Sequence, residues 1–420
     1  MHTVPARFTR KQFLQSAGTM ALGTLLSTRV VARQAGGDIG RRERLARLLR
    51  EYDSQGDHRT GSAVDAESGR WLADQVADAG LEPEIEWMGF SRPTIQAAYV
   101  AVGDRWADGI PLFDGGVTDA TGVRGRLGAL DMDAEIALAH AGPRVSPDLL
   151  DHRRTTSQQA AVTVTGGPEN GVPEGLALMN APDFKAPFGP PVIQVASQHR
   201  AWLDAAAAAG EEALVVAHVT RRPKEVFNVT ATLLGTQPSL PPLIVMTPRS
   251  GWWTCASERG GGIAVWLEMM RSLRAATPRR TTVFVASTGH ELGHYGLQEF
   301  IRTRTRLLTS AVAWIHLGAN FGAAIGGRPR LQASSVELQR LALDALGAAG
   351  APPDRLHPVG ERPAGEAHNI HDRGGRYLSI LGANGLFHHP QDRWPAAVNV
   401  DLIARYACAF SEIGVTLANS

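Results

Sequence analysis

The chain has 420 residues, 44% hydrophobic and 20% charged, enough to bury one large core or two to three smaller ones. It carries 42 Lys and Arg against 41 Asp and Glu, a net charge of +1, which argues against a nucleic-acid or anionic-membrane surface with clustered cations. Two cysteines, Cys255 and Cys408, build no disulfide framework and lack the spacing of a thiolate metal site, whereas 14 histidines are available for chemistry.

The first predicted element, over residues 1–35, is a targeting segment. Thr9-Arg10-Lys11-Gln12-Phe13-Leu14 precedes a mildly apolar run from Ala17 to Leu26, too short to span a bilayer, and small residues follow near Ala32 and Ala35. The pattern resembles a twin-arginine export signal with Arg10-Lys11 in place of the arginine pair. It implies a periplasmic or secreted chain that starts near Gly36. The plainer alternative is an N-terminal amphipathic helix. No other segment is long and apolar enough for a membrane span. In an oxidising compartment a Cys255–Cys408 bridge is permitted, and its formation stays open.

Leu45, Leu48 and Leu49 at helical spacing predict a helix over 41–52, and a second helix over 66–79 is stopped by Gly80. Residues 81–87 alternate as a half-buried strand. From 94 to 222 the chain reads as a compact inserted domain of short β-like runs, Pro/Gly turns and one Ala-rich helix at 200–209. Beyond it come predicted strands at 226–234, 243–246, 282–286 and 311–315, separated by helices at 262–273, 289–302, 335–348 and 400–417. Apolar strands alternating with helices predict an α/β sheet covered on both faces, with its site at the carboxyl ends of the strands.

After the strand at 282–286 comes Gly289-His290-Glu291-Leu292-Gly293-His294. Alone, this is His-Glu-x-x-His, in which two histidines one helical turn apart hold zinc and the glutamate activates water. That zincin reading needs a third ligand, and the one downstream candidate, Glu337, sits in an ordinary amphipathic helix.

The wider pattern resembles the M28 family of co-catalytic zinc aminopeptidases and amidohydrolases over nearly the whole mature chain. Arg59-Thr60-Gly61-Ser62 and Gly80-Leu81-Glu82-Pro83 resemble its N-terminal segment, and residues 228–235 its entry strand. Gly122-Val123-Arg124-Gly125-Arg126-Leu127 and residues 190–195 resemble its protease-associated insertion. Ser257-Glu258-Arg259-Gly260-Gly261-Gly262 matches its Gly-rich loop, and Phe387-His388-His389-Pro390-Gln391-Asp392 its C-terminal loop. The resemblance implies a three-layer mixed sheet of the zinc-exopeptidase type. Residues 36–93 and 223–420 are then the catalytic domain and 94–222 a β-rich protease-associated-like insertion.

Carried over position by position, the resemblance implies an altered site. Thr247 replaces a histidine ligand, Glu258 the bridging aspartate, His290-Glu291 the Glu-Glu pair and His316 a ligand aspartate, while His388 is retained. Glu258, Glu291 and His388 would hold one zinc ion, with His316 completing the set, and an open position suits hydrolysis. His290 or Glu291 would move the proton, with Arg249 and Arg259 replacing a lost cation at a developing oxyanion or a substrate carboxylate. Trp252, Trp253 and Trp394 are expected to wall the substrate pocket, against plain core packing as the alternative. His294, His368, His371 and His389 are expected at the surface or behind the ligands, and Met269 and Met270 in the core. The function implied is an exported metallohydrolase acting on an amide bond in a small peptide or acylated amine. A binding module that has lost catalysis remains the competing class.

Overall fold

Four strands in the C-terminal half, Leu243–Pro248, Thr282–Ser287, Ala313–Leu317 and Tyr377–Leu381, are buried almost throughout. A strand points successive side chains to opposite faces, so continuous burial requires cover on both. In the computed structural model, which describes residues 40–143, 146–168 and 171–420, both covers are present. Leu243, Val245, Phe284, Ala286, Ala313, Ile315, Leu317, Leu378 and Ile380 face one apolar core. Ile244, Met246, Val285, Trp314 and Tyr377 face another. Helices Gly261–Ala276 and Val400–Asn419, with a helix over residues 40–54, close the first face. Helices Tyr295–Thr303 and Ala367–His371 close the second. This is the expected three-layer α/β arrangement with a mixed sheet.

The parallel strands lie in the order Thr282–Ser287, Leu243–Pro248, Ala313–Leu317, Tyr377–Leu381. An antiparallel strand flanks each side, Glu212–Leu233 against Thr282–Ser287 and Arg330–Ala333 against Tyr377–Leu381. The expected helix at 289–302 is broken, and the strand expected at 311–315 starts two residues later. Ala311 instead caps the short helix Thr305–Ser310, its N–H bonded to the Leu307 carbonyl.

Strands Pro83–Val102 and Glu212–Leu233 pair antiparallel along nearly their whole length, from Pro83 opposite Ala231 to Val102 opposite Ala213. The segment boundaries expected at 93/94 and 222/223 therefore fall inside continuous strands. Between these strands the chain adds Val123–Ala129, Ile136–Ala141, Ala160–Thr165 and Val192–Ala196, paired in parallel in that order. They share an apolar cluster that includes Leu127, Ile136, Val162, Ile193, Leu203 and Val215. The targeting segment expected over 1–35 lies outside the described residues. Among the described residues no helix is long and apolar enough to cross a membrane. No disulfide joins Cys255 and Cys408.

Trp266 anchors the larger core. It is fully buried, packs edge-on against Phe284 at 5.8 Å, and its indole donates to the Val245 carbonyl. Trp266→Ala is expected to cost about 3–5 kcal/mol in urea denaturation, and a loss below about 1 kcal/mol would contradict this packing role.

Candidate functional site

The four parallel strands end at Pro248, Ser287, Leu317 and Leu381, and the loops that leave them converge on one edge of the sheet. A cavity of about 480 Å³ opens there, walled by His290, His294, His316, His368 and His388 together with Asn180.

His290 owes its position to an interrupted backbone. Gly289 and Gly293 take φ of 74° and 71°, His290–Leu292 forms a single 3₁₀ turn, and His294 has φ of 57°. A Cβ on Gly293 would lie 2.4 Å from the Pro182 carbonyl, so only glycine fits that approach. The α-helix begins at Tyr295. His290 and His294 are thus not successive positions of one helical face, and the helical His-Glu-x-x-His arrangement is absent. Glu337 is exposed and pairs with Arg376. The imidazole of His290 bonds through Nδ1 to Glu366 Oε1 at 3.1 Å. Glu366 is fully buried and also accepts from the Ser287 hydroxyl. The rings of His290 and His294 lie 4.7 Å apart, and those of His294 and His368 5.0 Å.

Glu291 turns the other way. Its Oε1 accepts from the Thr60 N–H at 3.0 Å and the Thr60 hydroxyl at 2.5 Å, and its Oε2 from the Ser250 hydroxyl at 2.9 Å. Both oxygens are engaged.

Glu258 and Arg259 ride on a π-helical turn, Ala256–Gly260, entered through Cys255 at φ of 56°. Asp392 holds the turn by accepting from the N–H groups of Ser257 and Glu258, each at 2.9 Å. Glu258 Oε1 lies 2.6 Å from Arg259 Nη2, outside hydrogen-bond angles, and 3.3 Å from His388 Nε2, with every partner buried. Arg259 Nε donates to the Ser250 carbonyl at 2.7 Å.

Arg249 does not reach the cavity. It is spent on Asp65, at 2.7 Å, and on the carbonyls of Asp65 and Phe227. Thr247 is likewise spent, donating its hydroxyl to the Leu317 carbonyl.

His316 and Ser379 are register partners on adjacent parallel strands, and His316 Nδ1 bonds the Ser379 hydroxyl at 2.8 Å. That leaves His316 Nε2 buried without a partner. His388, at φ of 58°, bonds through Nδ1 to the Leu178 carbonyl at 2.6 Å. Three further non-glycine residues at this edge, Cys255, His294 and Asn320, also have positive φ, a strained conformation that clusters where a site fixes its side chains. Trp252 donates to Asn180 and Trp253 to the His388 carbonyl, so both brace the wall from behind, while Trp394 packs against the main core. None of the three lines the 480 Å³ cavity.

Burial lowers His290 well below the usual imidazole range, and the charge of Arg259 lowers it further. Burial also lowers His294, and it takes His316 down to about 4. Burial by itself would raise Glu258, yet Arg259 and His388 hold it below the usual carboxylate range. Glu291 is raised by burial in spite of its donors.

Sequence reasoning missed Glu366, while His294 and His368, expected at the surface or behind the ligands, line the cavity. Glu366 and His368 sit in Pro363-Ala364-Gly365-Glu366-Ala367-His368, a stretch without periodicity. Their one available signal was two titratable groups two residues apart after a glycine.

No family model matches the chain, and none of the curated proteins does. Solved structures do match. A zinc aminopeptidase from Bacillus subtilis superposes with a TM-score of 0.73 at 13% identity, covering 91% of this chain and 95% of that one. An aminopeptidase from an Aneurinibacillus strain gives 0.67 at 16%, covering 90% and 93%. A peptidase M28 precursor from Shewanella amazonensis gives 0.67 at 14%, covering 91% and 98%. The fold is that of the M28 zinc aminopeptidases. At these identities the likeness carries architecture, and the site must be judged on its own donors.

Those donors do not fit the zinc ion that the fold suggests. Among the described residues no three His, Cys, Asp or Glu side chains converge to hold a metal ion. Glu291 is saturated, Thr247 is turned away, and the Glu258 oxygen nearest His388 already faces a guanidinium.

The buried imidazoles set an acid limit on stability. His58, stacked on Tyr52 at 3.8 Å and bonded to the Thr254 carbonyl, is lowered by burial to about 3. His58 and His316 titrate near 6.5 when unfolded but nearer 3 and 4 when folded. Each therefore contributes stability that is fully present above 6.5 and is lost as pH falls through the folded value. The expected slope is about 1.4 kcal/mol per pH unit for each histidine. Urea denaturation at stepped pH checks this, and a flat profile from about pH 7 to 5 would refute it.

Proposed function

We propose that the protein is an exported hydrolase that cleaves an amide bond in a small peptide or acylated amine, with the histidine-walled cavity as its active site. The observation that carries this reading is the buried Glu366–His290 pair on the cavity wall. A carboxylate accepting from Nδ1–H fixes the tautomer and leaves the Nε2 lone pair as the basic nitrogen. Because burial keeps this imidazole neutral at ordinary pH, Nε2 is ready to take a proton from water attacking a carbonyl. It can then return that proton to the departing amine.

The other parts of the reading have separate support. The basic-then-apolar N-terminus supports periplasmic or secreted placement. The apolar cluster around Leu127, Val162 and Val215 supports 94–222 as a protease-associated-like insertion. From that segment, Asn180 and Pro182 contribute to the cavity wall. A non-catalytic binding role has one observation in its favour, the complete internal satisfaction of Glu291. No step is routed through zinc.

The test is turnover of a panel of aminoacyl and acyl p-nitroanilides by the purified chain. His290→Ala and Glu366→Gln are expected to lower kcat by about 10²–10⁴ with thermal unfolding little changed. Binding of panel members without turnover would replace the hydrolase with the binding module. Full turnover by His290→Ala would remove the assigned base.

A further inference from the structure

We infer that the Arg259 guanidinium is the permanent cation of this site, in the place of a zinc ion, and that the protein folds without a metal ion. The inference is independent of the hydrolase reading, because its readout is metal content.

The geometry begins with Glu258. Its Oε1 has two neighbours, Arg259 Nη2 at 2.6 Å and His388 Nε2 at 3.3 Å. A bound ion would need that oxygen and that nitrogen together, and the guanidinium is already against the oxygen. Arg259 cannot readily swing away. Its Nε is bonded to the Ser250 carbonyl at 2.7 Å and its side chain is fully buried. Unlike a lysine, a guanidinium stays protonated at any working pH.

The surroundings are arranged around this charge. Arg259 is stabilised by Glu258 and, more weakly, by Glu291, so both site carboxylates act on it. It in turn disfavours protonation of His290 and His316. A positive charge at this node thus takes over two electrostatic effects of a metal ion, holding a carboxylate ionised and the surrounding imidazoles neutral. A dication added beside it would meet like-charge repulsion in a poorly screened interior.

The full chain is to be incubated with excess zinc chloride, exchanged into metal-free buffer and analysed for bound zinc. Thermal unfolding is then compared with and without EDTA. The wild type is expected to retain less than about one zinc per ten chains and to unfold within about 1 °C in both conditions. Arg259→Asn, which removes the charge and frees Glu258 and His388, is expected to retain more zinc than the wild type and to unfold at a zinc-dependent temperature. Stoichiometric zinc in the wild type, with unfolding lowered by EDTA, would overturn the inference. A folded Arg259→Asn protein that takes up no zinc would overturn it too, because the guanidinium would not be what excludes the ion. If Arg259→Asn does not fold, the neutral pair Glu258→Gln with Arg259→Met should fold, since the two charges then vanish together. Its failure to fold would also count against the inference.

Discussion

A charge taken out of water must be met inside the protein, and this constraint shapes the carboxyl edge of the sheet. The effective penalty is several kcal/mol per ion after relaxation. The described interior answers it with close pairs, Asp65 with Arg249, Asp114 with Arg153 and Glu258 with Arg259. Glu291 is answered differently, by two hydroxyls and a backbone N–H. Asp65 and Thr60 reach Arg249 and Glu291 from the N-terminal segment, and Asp392 holds the turn that carries the adjacent pair Glu258 and Arg259, so the edge forms only when the N-terminal segment, the parallel strands and the loop at Asp392 are all in place. The pairing that secures the edge also consumes donors that a metal would need.

The cavity is what remains uncommitted. His290 is set by Glu366, His316 by Ser379 and His388 by the Leu178 carbonyl, each through Nδ1. In His290 and His316 the second ring nitrogen is left for the space between, whereas that of His388 faces Glu258 Oε1 at 3.3 Å, the orientation logic that fixes imidazoles in catalytic and metal sites alike. Part of the enclosure is supplied by the segment beyond the long antiparallel strands. Its Leu178 accepts from His388, its Ala181 donates to the Glu291 carbonyl, and its Pro182 lies over Gly293. Sheet edge and inserted segment are therefore one construction at the cavity.

Much of the fold was legible beforehand for a simple reason. Strands such as Leu243–Pro248 are apolar at every position, a pattern that only a sheet with two covered faces can satisfy. The helix at 200–209 and the one ending at 348 matched because local periodicity and caps decide them. The helix expected at 289–302 failed because three left-handed residues, Gly289, Gly293 and His294, interrupt it. Of these, Gly293 answers a contact with Pro182, more than a hundred positions away. The tryptophans were placed near the right loops but on the wrong side of the wall, since proximity in sequence does not decide which way a side chain points.

The sequence by itself determined the layered α/β architecture and the edge at which chemistry gathers, because these follow from periodicity and residue type. Tertiary structure alone decided the roles. Arg249 and Arg259 are both arginines in one loop, yet one is spent on Asp65 and the other sits against Glu258. Glu366, silent in the sequence, became the partner of His290. That Asp65 meets Arg249 and Glu366 meets His290 depends on distances between residues far apart in the chain. Only packing fixes those distances.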